Sequence, residues 1–288
     1  MSKWRSWFFA AIAGLLASGL ILAADSKQAV FDLTMLLWKE GQHTNALAAA
    51  SEGLKANPAD DRLLNLRAQM NGILGNYAEA NEDLTAAIKL QNDSGYLFRE
   101  RATVRFKLGL FAESAADFDR MNELQPKAAP HNWQRGIALY YAGRFREGRE
   151  QFEQHKTVNP EDVENAVWHF LCTTREQSVE AARKKLIPIS GDTRVPMKQI
   201  HDLFAGKAKP EDVLAAATAG SPSASQLKYQ TFYAHLYLGL YFEAIGDASR
   251  AKEEILAAVP LADSADYMGT VAKVHALRLT GRLPTSKK

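Results

Sequence analysis

Leu108-Gly109-Leu110-Phe111, followed by Ser114, Phe118 and Pro126, is the stretch on which the fold turns. Gly109 is one of four glycines spaced 34 residues apart, the others being Gly41, Gly75 and Gly143. A ring stands two places after each, as His43, Tyr77, Phe111 and Phe145. Five places after each comes a very small residue: Ala46, Ala80, Ser114 and Gly148. Seventeen places on stands a helix breaker: Pro58, Asn92, Pro126 and Pro160. Four positional classes recurring in phase mean that one supersecondary unit is repeated.

The unit reads as two antiparallel helices. Tyr96–Leu108 forms helix A, Gly109-Leu110 the turn and Ala112–Leu124 helix B. The glycine ends helix A because a left-handed cap costs least at a residue without Cβ. The small residue lets helix B approach helix A, and Phe118 or Phe152 fills the gap to the next repeat. Pro126 and Pro160 stop helix B, since proline donates nothing into a continuing helix and constrains its predecessor. One pair cannot bury its own apolar face, so neighbours stack and the core runs lengthwise.

A period of 34 residues with Leu108-Gly109-x-Phe111 and Pro126 resembles the tetratricopeptide signature. The expected fold is all-α, a right-handed superhelical solenoid of helix-turn-helix repeats with a C-terminal capping helix. Residues 27–160 hold four regular repeats. Residues 161–225 hold two degenerate ones, Val163–Cys172 against Val179–Ile187 and Val195–Ala205 against Pro210–Ala219. Their small positions would be Ala182 and Ala216, and both lack a turn glycine at the expected place. Residues 226–283 give the last repeat, with Gly246 at its turn and Ala251 at its small position, then a closing helix Asp266–Thr280. Ser190-Gly191-Asp192 is a strong loop signal and marks a soft boundary.

At the N-terminus, Lys3 and Arg5 precede Trp7–Ala24, a run without charge. That is the pattern of a secretory signal peptide, residues 1–24, with Ala23-Ala24 as its cleavage site. The run is also at the short edge of a spanning helix, so retention as a membrane anchor stays open. Either way the repeats are expected outside the cytoplasm, periplasmic or in the cell envelope. Without residues 1–24 the basic residues fall to 33, matching the 33 acidic ones. A chain of zero net charge with no basic stripe does not fit nucleic acid. Arg183-Lys184-Lys185 reads as the solvated face of a short helix.

Cys172 is the sole cysteine, so no internal disulfide exists and stability rests on apolar stacking. No two histidines stand four apart on one helix, and there is no phosphate loop or serine elbow. His169 and Cys172 could pair as base and nucleophile, but no third group orients them. The reading is therefore not an enzyme, with no metal and no cofactor, His169/Cys172 being the enzymatic alternative.

A partner would meet the helix A face. By position within the period, Arg62, Asn65 and Gln69 in repeat two and Arg99, Thr103 and Phe106 in repeat three face the groove. Repeat four adds Trp133, Ile137, Tyr140 and Tyr141. Arginine and aromatic anchors are what interface hot spots favour. Such a groove suits an extended or helical peptide, with Arg62 and Arg99 available to a carboxylate. End helices make homodimerisation a further expectation, Asp266–Thr280 being the candidate.

Arg135-Gly136-Ile137-Ala138-Leu139-Tyr140-Tyr141-Ala142-Gly143-Arg144 is similar to the new lipoprotein I family of bacterial tetratricopeptide lipoproteins. Weaker similarity runs through Gly95-Tyr96-Leu97, Leu203–Gly206, Phe232–Asp247 and His275-Ala276-Leu277. The resemblance implies a non-catalytic envelope adaptor that docks a protease or scaffolds cell-wall enzymes. A membrane-tethered assembly subunit is the alternative. Lipid anchoring would need a cysteine just after the apolar run, and none stands there.

Overall fold

The computed structural model describes residues 26–263 and 266–283. The expected signal or anchor segment, residues 1–24, lies outside them. Fifteen α-helices and two short 3-10 turns make up the described residues, with no strand among them. None of these helices is long and apolar enough to cross a membrane. Two compact units divide the chain, one ending at Val104 and the other starting at Arg105.

The first unit contains α1 (Ser26–Lys39), α2 (His43–Ala56), α3 (Asp61–Leu74), α4 (Tyr77–Leu90) and most of α5 (Gly95–Lys107). Its turns follow the sequence pattern. Gly75 is left-handed at φ +83°, and the Asn76 amide reaches back to the Asn71 carbonyl at 2.8 Å. That six-to-one bond satisfies a helix-end carbonyl which would otherwise be orphaned. Ala46 and Ala80, the small positions, are wholly buried.

Polar stitching joins the hairpins of this unit. Arg67 on α3 grips Asp83 on α4 with two bonds, at 2.6 and 2.8 Å, and reaches the Ser51 hydroxyl on α2 at 3.2 Å. Arg101 on α5 donates to the Thr85 hydroxyl at 3.2 Å. Both arginines bridge helices 16 residues away, and they stand 34 apart.

The second unit contains α6 (Phe111–Leu124), α7 (Trp133–Tyr141), α8 (Phe145–Lys156) and α9 (Val163–Glu176). It continues with α10 (Val179–Lys184), α11 (Met197–Phe204) and α12 (Pro210–Thr218). It ends with α13 (Ala224–Ala244), α14 (Ala248–Ala258) and α15 (Tyr267–Leu279). The stitching recurs one period on: Arg135 binds Asp119 at 2.7 Å and Gln151 at 3.0 Å, each 16 residues away. Gly148 permits a close crossing, since a Cβ there would sit 2.9 Å from the Cys172 sulfur and 3.2 Å from the Gly136 carbonyl. Phe118 and Phe152 fill the core between hairpins as expected.

Two details depart from expectation. In the sixth hairpin Gly206, at φ +76°, caps α11, so a turn glycine is present after all. The loop after it is longer, the next helix starting at Pro210, and there Ala217 is the buried small residue while Ala216 is half-buried. The loop at Ser190-Gly191-Asp192 is held by side-chain contacts. The Ser190 and Gly191 amides bind Glu161 at 2.8 and 2.6 Å, which ties the loop to the start of α9.

The last helix does more than close the final hairpin. Tyr267 stacks on Phe106 at 5.7 Å and meets Trp133 edge-on at 5.1 Å. His275 is fully buried, with Nδ1 2.7 Å from the Tyr141 hydroxyl and Nε2 2.9 Å from Glu243. Arg278 also pairs with Glu243. Thus α15 lies against Phe106, Trp133 and Tyr141.

Candidate functional site

The ten sequence-predicted groove residues divide by unit. In the first unit the A helices present a polar row. Arg62 is exposed, donates to Gln28 at 3.1 Å and lies over the Phe31 ring at 4.2 Å. Gln69 is exposed and donates to the Tyr96 hydroxyl at 3.0 Å, linking α3 to α5. Arg99 is exposed, pairs with Glu100 at 3.1 Å and leans over Tyr96. Asn65 and Thr103 are half-buried between them, the Thr103 hydroxyl donating to the Arg99 carbonyl. Tyr96 links Gln69 of α3 to Arg99 of α5.

In the second unit the assignment fails for three residues. Phe106 and Ile137 are wholly buried, and Tyr140 is 4% exposed. They are core, because α15 and α9 cover the face that the period assigns to a partner. Tyr140 meets Trp168 of α9 edge-on at 5.5 Å. Trp133 and Tyr141 keep partial exposure, yet both touch α15. Burial drives the Tyr140 and Tyr141 hydroxyls well above the usual phenol range, so both remain neutral donors.

The Tyr141–His275–Glu243 chain has one consistent proton arrangement. Tyr141 donates to Nδ1, which leaves the ring proton on Nε2, 2.9 Å from Glu243. Burial holds the His275 imidazole below its ordinary value, and it stays neutral. Burial opposes ionisation of Glu243, but the contacts with His275 and Arg278 outweigh it and bring the carboxyl down to about 2. This is a latch for α15.

The His169/Cys172 pair is not assembled for chemistry. Cys172 is fully buried, and burial with nearby Glu176 pushes its thiol far up, away from the reactive thiolate. His169 turns instead to Glu153, at 3.3 Å and 16 residues back, the next rung after Arg135. Burial lowers its imidazole, which is neutral there. No cluster of three histidine, cysteine or acidic side chains among the described residues could hold a metal.

A cavity of about 200 Å³ opens within the second unit, unsuspected from the periodicity. Its apolar floor is Ile137, Phe152 and Met268, all buried. Trp133, Trp168 and Tyr233 add aromatic walls. Asp162, Glu164 and Asp266 bring carboxylates from the start of α9 and the start of α15. Arg194 pairs with Asp162 at 2.8 Å, Glu164 at 2.6 Å and Asp192 at 2.7 Å. Burial is the main influence on Glu164 and raises its carboxyl to about 7, the Tyr237 hydroxyl and Arg194 notwithstanding.

Solved structures resemble the chain at low identity. A tetratricopeptide repeat protein from Parabacteroides merdae superposes with a TM-score of 0.59 at 16% identity, covering 90% of this chain and 100% of that one. MamA superposes with a TM-score of 0.52 at 15% identity, covering 69% of this chain and 97% of that one. A MamA double mutant gives 0.50 at 15% identity over 57% of this chain and 92% of that one. No family model matches the sequence, and no curated protein matches it.

Proposed function

The chain has a tetratricopeptide-type fold, all-α and built of repeated helical hairpins, and from that premise we propose a non-catalytic scaffold that docks another protein. The observation that carries the reading is the open polar row on α1, α3 and α5. There Arg62 has no carboxylate partner among the described residues, only Gln28 and the Phe31 ring. A guanidinium pre-placed over a ring with its outer edge open is suited to a carboxylate from a docked segment. The partner is an extended or helical peptide of acidic character, met by Arg62, Gln69 and Arg99.

Export to the bacterial envelope belongs to the same proposal. It is supported by Lys3, Arg5 and the uncharged run Trp7–Ala24, and by the similarity of Arg135–Arg144 to an envelope adaptor family. An envelope protease or a cell-wall enzyme is the partner class that this similarity favours. The uncharged run also supports the second reading, a tethered assembly subunit that keeps residues 7–24 as an anchor. N-terminal sequencing of the mature protein decides between them: a start near Asp25 removes the anchor.

Site-specific photocrosslinking tests the docking face. A photoreactive residue at position 69 or 99 should give a discrete adduct in envelope extract, and one at Lys89, exposed on the B helix α4, should not. Exchanging Arg62 for Glu should abolish the adduct. Equal adducts at all three positions, or adducts indifferent to Arg62→Glu, would overturn the assignment.

A further inference from the structure

We propose that the cavity walled by Trp133, Trp168, Asp162, Glu164 and Asp266 is a binding site for a primary alkylammonium group, the chemistry of a lysine side chain or a small free amine.

Charge argues for a cation. Asp162, Glu164 and Asp192 share a single guanidinium, that of Arg194. Asp266 has no cationic partner among the described residues; it accepts from the Tyr233 hydroxyl at 3.1 Å and from the Met268 amide at 3.1 Å. Three of these carboxylates, Asp162, Glu164 and Asp266, line the cavity, with His155 as its one basic side chain, and a part-buried carboxylate without a cation, as Asp266 is, is costly. Burial raises the Glu164 carboxyl although Arg194 pairs with it, and an arriving ammonium would favour its charged form.

Two unpartnered polar atoms argue for a ligand independently of the charge. Asn165 is 3% exposed and lines the cavity; its amide nitrogen donates to the Phe152 carbonyl at 3.1 Å, while Oδ1 accepts nothing. Trp168 is 1% exposed and lines the same space, and its indole N–H has no acceptor. Buried polar groups are normally satisfied, so an orphan acceptor beside an orphan donor marks a place for an outside partner. The acceptor suits an ammonium proton, and the donor suits a carbonyl oxygen such as a peptide backbone supplies.

Size and shape agree. A space of about 200 Å³ is below the range of drug-sized ligand pockets, roughly 300–1,000 Å³. It holds a single side chain. Ile137, Phe152 and Met268 fit an alkyl stem, and Trp133 and Trp168 stand in the wall around it.

The site shares no residue with the polar row on α1, α3 and α5, so its test is separate from photocrosslinking there. Titrate the full chain with N-acetyl-lysine-methylamide, with n-butylamine, and with uncharged N-acetyl-norleucine-methylamide, following tryptophan fluorescence and calorimetric heat. Saturable binding of the two ammonium probes but not of the norleucine isostere is expected. Asp266→Asn keeps an acceptor oxygen for the helix cap and should weaken both ammonium probes about tenfold or more, as should Glu164→Gln.

Trp168→Phe keeps the apolar wall and removes the N–H. If the source is a lysine in a peptide, it weakens the lysine probe more than butylamine. If the source is a free amine, the two probes bind alike in parent and variant. Equal binding of the norleucine isostere, absence of saturable binding by either amine, or ammonium binding unmoved by both carboxylate variants would each overturn the proposal.

Discussion

Removing Arg67 should damage the first unit out of proportion to the atoms lost. Its guanidinium is bidentate on Asp83, whose side chain is only 6% exposed, whereas Arg67 itself is 25% exposed. Breaking a buried pair from one side leaves an unpaired buried charge, which typically costs about 3–5 kcal/mol. Because Arg67 is partly solvated, its loss should cost about 2–4 kcal/mol. In a unit of this size that lowers the melting temperature by roughly 10 °C or more. Arg67→Met keeps the stem and deletes the charge, so it isolates the effect. The double variant Arg67→Met/Asp83→Leu removes both charges and should return to within about 1 kcal/mol of the parent. Urea unfolding followed by circular dichroism gives all four corners of the cycle. A single variant within about 0.5 kcal/mol of the parent would show that Asp83 does not depend on Arg67. A double variant no better than the single would refute the orphaned-charge argument even if the single is damaging.

Three further outcomes are expected. Gly239→Ala places a Cβ 2.6 Å from the Ile255 side chain and 3.1 Å from its backbone nitrogen, so overpacking should cost about 1–3 kcal/mol; Gly72→Ala, with nothing within 4 Å, should instead gain about 0.5–1 kcal/mol, and thermal melts that rank the two the other way would contradict the packing. Tyr141→Phe leaves the buried His275 Nδ1 without its 2.7 Å donor and should cost about 1–3 kcal/mol; an unchanged melting temperature would mean that the latch does not hold α15. Acid should loosen the same latch in two stages, measurable as melting temperature against pH. The folded value of His275 lies below its ordinary 6.5, so the unfolded chain binds the proton first and stability falls as pH drops beneath about 6.5. Glu243, brought to about 2 from 4.5, contributes stability that is present above pH 4.5 and is lost as pH falls toward 2. Glu164 acts oppositely: raised to about 7, it lowers stability as pH rises from 4.5 through 7. His275→Gln should remove the first stage, and a profile that it leaves unaltered would reject the assignment.

The hairpins were legible because their signals are local. Gly41, Gly75, Gly109, Gly143 and Gly246 all take the left-handed conformation that the turn requires. Ala46, Ala80, Ser114, Ala182 and Ala251 are all fully buried where helices cross. The sixth hairpin departs from the stride because both its turn glycine, Gly206, and the start of its second helix, Pro210, stand out of register with the regular repeats, and a fixed stride cannot register a change of turn length. The rung of Arg67, Arg101 and Arg135 was readable from the same period, followed one step later by His169. It went unread because polar residues on an A helix were assigned to a partner, while here they bind the neighbouring B helices. The cavity had no such signal. It joins Trp133, the start of α9 and the start of α15, and no repeat spacing specifies where a terminal helix will lie.

The position of α15 also explains why the aromatic anchors are not open to a partner. Phe106, Trp133 and Tyr141 would form a contiguous apolar face on their A helices, a liability on any soluble surface. The chain covers that face itself, with Tyr267 on Phe106 and Trp133 and with His275 locked to Tyr141 and Glu243. An intramolecular helix has no association entropy to overcome, so a partner's helix of similar contacts would not displace it without breaking the latch. The row of Arg62, Gln69 and Arg99 needs no cover, because guanidinium and amide groups are solvated at little cost. The docking proposed above therefore rests on chemistry that a polar, arginine-bearing face recognises, and aromatic content alone is a poor guide to a repeat protein's binding surface when the final helix is free to turn inward.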